Sequence, residues 1–74
     1  MKDIYELDLV QIHRIQAALI MAASNEDEAA SEMSEAAERL ARSGWSEEAE
    51  LAREAAKAAL ARAAEYRQLI EVFN

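Results

Sequence analysis

The segment Leu40–Glu48, with the sequence LARSGWSEE, contains the only glycine of the chain and decides how the sequence on either side of it folds. Gly44 occupies the C′ position of a helix terminus, where the backbone adopts a positive φ angle. In a Schellman motif the next residue, Trp45, packs back against the C3 residue, which is Leu40. Ser46 is predicted to be the N-cap of a further helix, because acidic residues follow it. The segment therefore predicts two antiparallel helices joined by a tight turn.

A second break is predicted upstream, where residues 24–28 have the sequence SNEDE. Asn25 has the side chain of an N-cap, and Glu28 stands at the N3 position of a capping box. The chain has no proline and 18 alanines, so the segments between the breaks are predicted to be helical. The expected fold is all-α, an up-down-up three-helix bundle with helices at about 3–23, 26–43 and 47–73, in a single domain over residues 1–74.

The composition excludes several classes of function. The chain has no cysteine and a formal net charge of −7. Disulfides and thiolate metal sites are therefore absent, and nucleic-acid binding is not expected because it needs clustered Lys and Arg. The longest apolar run, Ala17–Ala23, is much shorter than the about 20 residues that cross a bilayer. The N-terminus lacks the basic region of a signal peptide, so a cytoplasmic or recombinant setting without membrane partners is expected.

The predicted first helix is apolar on two sides. Ile12 and Leu19 mark one side, and Val10 and Ile20 mark the other, although periodicity does not tell which side faces the core. Two neighbouring helices cannot cover both sides, and the longer third helix is expected to project past the first with an apolar C-terminal end. These features predict self-association through an interface that consists of Leu7, Val10, His13, Ala17, Ile20, Met21, Leu69, Val72 and Phe73.

His13 is the only histidine of the chain. One histidine per chain makes a metal or haem site only if symmetry brings copies together, and its expected role is that of a polar interface residue that fixes the register. The sequence has no phosphate-binding glycine loop, no HExxH motif and no nucleophile elbow. Its acidic residues alternate with Arg and Lys, as on a solvated surface. No catalytic residue, cofactor or metal is therefore predicted, and the protein is not expected to be an enzyme.

Two resemblances accompany these patterns. The segment Ala36–Leu51, AAERLARSGWSEEAEL, resembles the centre of a tetratricopeptide-type helix-turn-helix, but no second copy follows at a period of 34 residues. The stretches SNEDEAASE and SGWSEEAELAREAAKAALARAAE resemble de novo designed helical bundles, with idealised caps, short loops and strong helix formers. In such proteins an excess of apolar surface on one helix implies a designed interface.

Three functions remain open from the sequence. The favoured one is a structural protein that assembles into a symmetric homo-oligomer through helix 1 and the C-terminal end of helix 3. Gln11 and Gln16 support it, because amide side chains can pair across a two-fold axis. The first alternative is a small designed binder that presents helix 1 to a different protein, although such contacts usually concentrate aromatic residues. The second is a bundle that holds a cofactor or metal at His13.

Overall fold

The first helix begins after Asp8, in a computed structural model that describes residues 8–73. This helix, α1, spans Leu9–Arg42. The Asp8 carboxylate accepts a hydrogen bond from the Gln11 backbone N–H at 2.8 Å, and Gln11 Oε1 accepts one from the Asp8 backbone N–H at 3.0 Å. These two bonds form a capping box. The prediction of one continuous helix over 3–23 is wrong at Asp8, which is in an extended conformation. The predicted start near Asp3 lies outside the described residues.

The predicted break at residues 24–28 is also wrong, and the protein is a two-helix hairpin instead of a three-helix bundle. Ser24 and Asn25 lie within α1, where each costs less than about 0.7 kcal/mol relative to alanine, so neither ends a helix as glycine or proline would. Two acidic residues of this segment face the second helix. Glu26 forms an ion pair with Arg62 at 2.8 Å, and Asp27 forms another with Arg67.

The turn around Gly44 has the predicted backbone geometry. Gly44 has a φ of +85°, and its N–H donates to the Ala41 carbonyl at 3.1 Å. The Trp45 N–H donates to the Leu40 carbonyl at 2.9 Å, which completes the hydrogen bonds of a Schellman motif. The second helix, α2, spans Ser46–Val72. Ser46 is thus its first residue, and no side-chain hydrogen bond caps it, so the prediction of Ser46 as N-cap is wrong.

The two helices meet along one continuous line of residues, here called the seam. Every seam residue is buried or half-buried, and the spacing alternates between three and four positions, as in a coiled coil. The seam consists of Ile12, Gln16, Leu19, Ala23, Glu26, Ala30, Met33, Ala37 and Leu40 of α1, and of Ala49, Ala52, Ala56, Ala59, Ala63, Tyr66, Ile70 and Phe73 of α2. This seven-residue repeat passes through residues 24–28 without a change of phase, which explains why α1 is continuous there.

The fully buried core of the hairpin contains alanine alone. Among the described residues, the buried apolar side chains are Ala23, Ala30, Ala37, Ala49, Ala56, Ala59 and Ala63. The register that the turn establishes places a large seam residue opposite a small one in several layers, such as Leu40 opposite Ala49 and Met33 opposite Ala56. Small residues let the helix axes approach closely, but each buries little surface. The larger seam residues remain partly exposed.

The hairpin is a rod that measures 55 × 19 × 15 Å, and α1 projects beyond α2 at the end opposite the turn. The Gln16 side-chain amide donates to the Phe73 carbonyl at 3.3 Å, so Gln16 lies level with the C-terminal end of α2. The residues of α1 before Gln16 therefore extend about 10 Å further. The expected overhang of the C-terminal helix is thus wrong, since the overhang belongs to the N-terminal helix.

Candidate self-association surface

The predicted interface residues gather at the end of the hairpin away from the turn, here called the open end: residues 9–23 of α1 and 66–73 of α2. The antiparallel arrangement brings these two segments together. Nine large apolar side chains of the described residues are 48–71% exposed. The open end contains six of them, namely Leu9, Val10, Ile20, Met21, Leu69 and Val72. Leu7 lies outside the described residues, and Phe73 is a half-buried seam residue.

The predicted residues do not form a single face. Val10, His13, Ala17 and Ile20 share one side of α1, here called the histidine flank, and all four are exposed. Asp27 lies on this same side of α1, seven residues after Ile20, and its ion pair with Arg67 shows which side of α2 is adjacent. Leu60 lies seven residues before Arg67, so it belongs to this flank too. In Arg67, the hydrogen bond to the Asp27 carboxylate and the negative charge of that group raise the pKa above its usual value.

The opposite side of the hairpin is here called the alanine flank. Its small residues line both helices beside the seam, and four larger apolar residues accompany them, one on α1 and three on α2. It consists of Ile15, Ala18, Ala22, Ala29 and Ala36 of α1, and of Leu51, Ala55, Ala58, Leu69 and Val72 of α2. The Glu26–Arg62 ion pair crosses the hairpin on this side. Leu69 and Val72 are therefore separated from Val10 and Ile20 by the width of the rod, although all four lie at the open end.

Charge divides α1 into two halves. Residues 9–25 contain Arg14 and His13 but no acidic residue, whereas residues 26–42 contain six acidic residues and two arginines. An apolar surface without carboxylates can be removed from water at lower cost than the acidic half, because buried charges lose their hydration. The composition of α1 therefore favours contact at the open end and solvent exposure near the turn.

The accessible surface of the hairpin is large for its mass. It amounts to 5695 Å², whereas a compact monomeric protein of 8.2 kDa exposes about 4,500 Å². Within the described residues, two helices enclose one seam and leave their other sides in solvent, which contributes to this excess. Leu51 and Leu60 are mostly exposed as well and were not singled out from the sequence. Their positions beside the alanine seam of α2, once the seven-residue repeat is assigned, were the signal that they face outward.

Side chains that could ligate a metal ion are not clustered within the described residues. His13 is exposed, and no group of three or more His, Cys, Asp or Glu side chains between residues 8 and 73 is placed to hold a metal ion. No buried side-chain nitrogen or oxygen in this range lacks a hydrogen-bond partner. Trp45 is 58% exposed, so the backbone hydrogen bond fixes the turn more than burial of the indole does.

Comparison of the chain with protein-family models, with curated protein sequences and with solved structures found no match. Neither helix between residues 8 and 73 has an apolar stretch long enough to cross a bilayer. The function is therefore inferred from the surface alone.

Proposed function

We propose that this protein is a non-catalytic assembly protein whose partner is a second copy of itself. One observation supports the proposal above all others: among the described residues the hairpin fully buries only alanine, while nine large apolar side chains are 48–71% exposed. Fully burying a side chain the size of valine, leucine or isoleucine contributes about 1.5–3 kcal/mol. Association gives these residues the burial that the single chain does not provide.

The contact that we propose includes the histidine flank at the open end. Val10 and Ile20 are 58% and 54% exposed, and they lie on the side of α1 away from Ile12 and Leu19 in the seam. His13 and Ala17 lie between them on the same flank. Because no acidic residue occurs in residues 9–25, two copies can bring these flanks together without burying like negative charges.

The first test is the mass of the protein in solution, measured by light scattering at micromolar concentration. We expect a mass of more than one chain, and a lower mass for the double variant Val10→Glu/Ile20→Lys. The variant places two charges in the contact, where they lose hydration. Its net charge is unchanged and its seam is intact, so the helical circular dichroism should persist.

A matched control uses Ser31→Glu/Ser34→Lys. Both serines are exposed, and they occupy the same two helical positions as Val10 and Ile20, three turns or more further along α1. This control should keep the wild-type mass. A wild-type mass of about 8 kDa would exclude self-association and favour the alternative of a binder for another protein. Equal masses for wild type, variant and control would exclude the histidine flank as a contact.

A further inference from the structure

We propose that the alanine flank is a second self-association surface, which pairs with the alanine flank of another copy about a two-fold axis parallel to the rod. The product is an antiparallel four-helix bundle, in which α1 of each hairpin packs against α2 of the other. This inference rests on the proposed self-assembly, but it concerns the side of the hairpin opposite to the histidine flank.

The first support is the area available. The rod measures 55 × 19 × 15 Å, so its broad side has a projected area of about 1,000 Å². A standard protein–protein interface buries about 800 Å² on each partner. The end of the rod, at 19 × 15 Å, presents only about 300 Å² and falls well below that requirement. Pairing along a broad side therefore meets the requirement of a stable dimer, whereas end-to-end contact does not.

The second support is the complementarity of large and small residues. The Gln16–Phe73 hydrogen bond and the Glu26–Arg62 ion pair fix which residues of the two helices lie at equal height along the rod. When α1 of one copy faces α2 of the other at equal height, Leu69 meets the gap between Ala18 and Ala22. At the other end of the flank, Leu51 lies at the level between Ala36 and Arg39. A large side chain packed into a gap between small ones is the usual geometry of a helical interface.

The orientation of the two-fold axis follows from Leu51. An axis perpendicular to the rod through its midpoint would place α2 of each copy against α2 of the other, and the level that faces Leu51 would then lie beyond the end of α2 at Val72. Leu51 is 71% exposed in the single hairpin and would remain so. The parallel axis covers it, together with Leu69 and Val72, and therefore removes more apolar surface from water.

The third support is charge. With the parallel axis, Arg39 of one copy lies at the height of Glu48 of the other, which is an attractive pairing. Glu65 lies at the height of Asn25, and Glu32 lies beside Ala58. Between adjacent helices, no two charges of the same sign stand at equal height across the flank, although the whole chain has a net charge of −7. Arg62 lies at the height of its own copy on the diagonal helix, and it is paired with Glu26. Facing charges of equal sign would cost several kcal/mol in specificity, so their absence between adjacent helices favours this pairing.

The test uses Ala58→Glu/Val72→Glu, two exposed residues of the alanine flank on α2. We expect light scattering to show a lower mass than for the wild type. The matched control, Ala61→Glu/Gln68→Glu, adds the same charge to the outward face of the same helix and should keep the wild-type mass. Ala58→Lys/Val72→Lys should lower the mass as well, because loss of hydration on burial does not depend on the sign of the charge.

Combination with the histidine-flank variant separates the two surfaces. With two surfaces, the wild type contains four chains or more, Val10→Glu/Ile20→Lys contains two, and the variant with all four changes is a single chain. A wild-type mass of one chain would exclude self-assembly altogether. A multimeric wild type whose mass is unaffected by Ala58→Glu/Val72→Glu would overturn the alanine-flank inference alone, as would a single-chain mass for Val10→Glu/Ile20→Lys.

A measurement without added charge protects the test against variants that fail to fold. The chain contains no cysteine, so Ala58→Cys provides a single site for a nitroxide spin label. In the proposed bundle the two labelled positions lie at equal height on diagonal helices, and dipolar spectroscopy should detect a short distance between chains. A folded multimer without such a signal would overturn the inference.

Discussion

At the scale of single residues, Gly44 has the clearest structural requirement. Its φ of +85° lies in the left-handed region, and a Cβ atom built on it would have no heavy atom within 4 Å. Any loss of stability on substitution therefore comes from the backbone conformation and not from a steric clash with neighbouring side chains. A β-branched residue is the least compatible with this region, whereas asparagine tolerates it.

We expect Gly44→Val to lower the free energy of unfolding by about 1–3 kcal/mol, and Gly44→Asn to lower it less. Denaturation followed by circular dichroism, at one fixed protein concentration, measures both. If valine and asparagine gave the same stability as glycine, the helix would not end through a positive-φ residue at this position.

At the scale of the helices, the continuity of α1 through residues 24–28 changes the role of Asn25. If Asn25 were an N-cap, its substitution by alanine would lower the free energy of unfolding by about 1 kcal/mol. Because Asn25 is an exposed residue inside a helix, the same substitution should raise the free energy of unfolding by about 0.5 kcal/mol, since alanine has the higher helix propensity. We therefore expect Asn25→Ala to raise the midpoint of thermal unfolding.

The matched control is Asp8→Ala, which removes the observed cap of α1 and should lower that midpoint. The opposite signs distinguish a capping residue from an interior one within the same helix. A destabilised Asn25→Ala variant would support a helix boundary at residue 25 and contradict the two-helix fold.

The sequence predicted the Gly44 turn but not the continuity of α1, and the reason is the range of the interactions involved. The turn depends on residues within five positions of Gly44, and these are visible as a local pattern. The fate of SNEDE depends on Arg62 and Arg67, which lie far away in sequence and reach Glu26 and Asp27 only after the chain has folded back. The local pattern alone fits both a cap and a helix interior.

The surface was predictable in part for the same reason. Periodicity showed that Val10 and Ile12 occupy different sides of α1, and the structure assigns Ile12 to the seam and Val10 to solvent. The separation of Leu69 from Val10 onto opposite flanks depends on how the two helices face each other. The Asp27–Arg67 pair establishes that relation, and no local pattern contains it.

At the scale of the whole molecule, self-assembly has to overcome the repulsion between chains of net charge −7. Raising NaCl from about 0.02 M to about 0.5 M shortens the Debye length from roughly 20 Å to roughly 4 Å. We expect the scattering mass at a fixed low concentration to rise with salt. Salt screens the repulsion between the negatively charged chains, but it does not weaken the proposed contacts, which are mainly apolar. The control Ala61→Glu/Gln68→Glu, with two further negative charges outside the contacts, should respond more strongly. A mass that falls with salt would indicate an ionic interface.

The register of the hairpin also determines the order in which the layers of the seam form during folding. Leu40 and Ala49, next to the turn, are separated by nine positions, whereas Gln16 and Phe73 are separated by 57. Each layer further from Gly44 closes a longer loop if it forms alone, so zipping outward from the turn has the lowest entropic cost. During synthesis the apolar half of α1 is made well before its seam partners Tyr66 and Ile70. Until then the seam side of Leu19 is exposed together with Ile20, so a nascent chain is most prone to aggregation before it can fold.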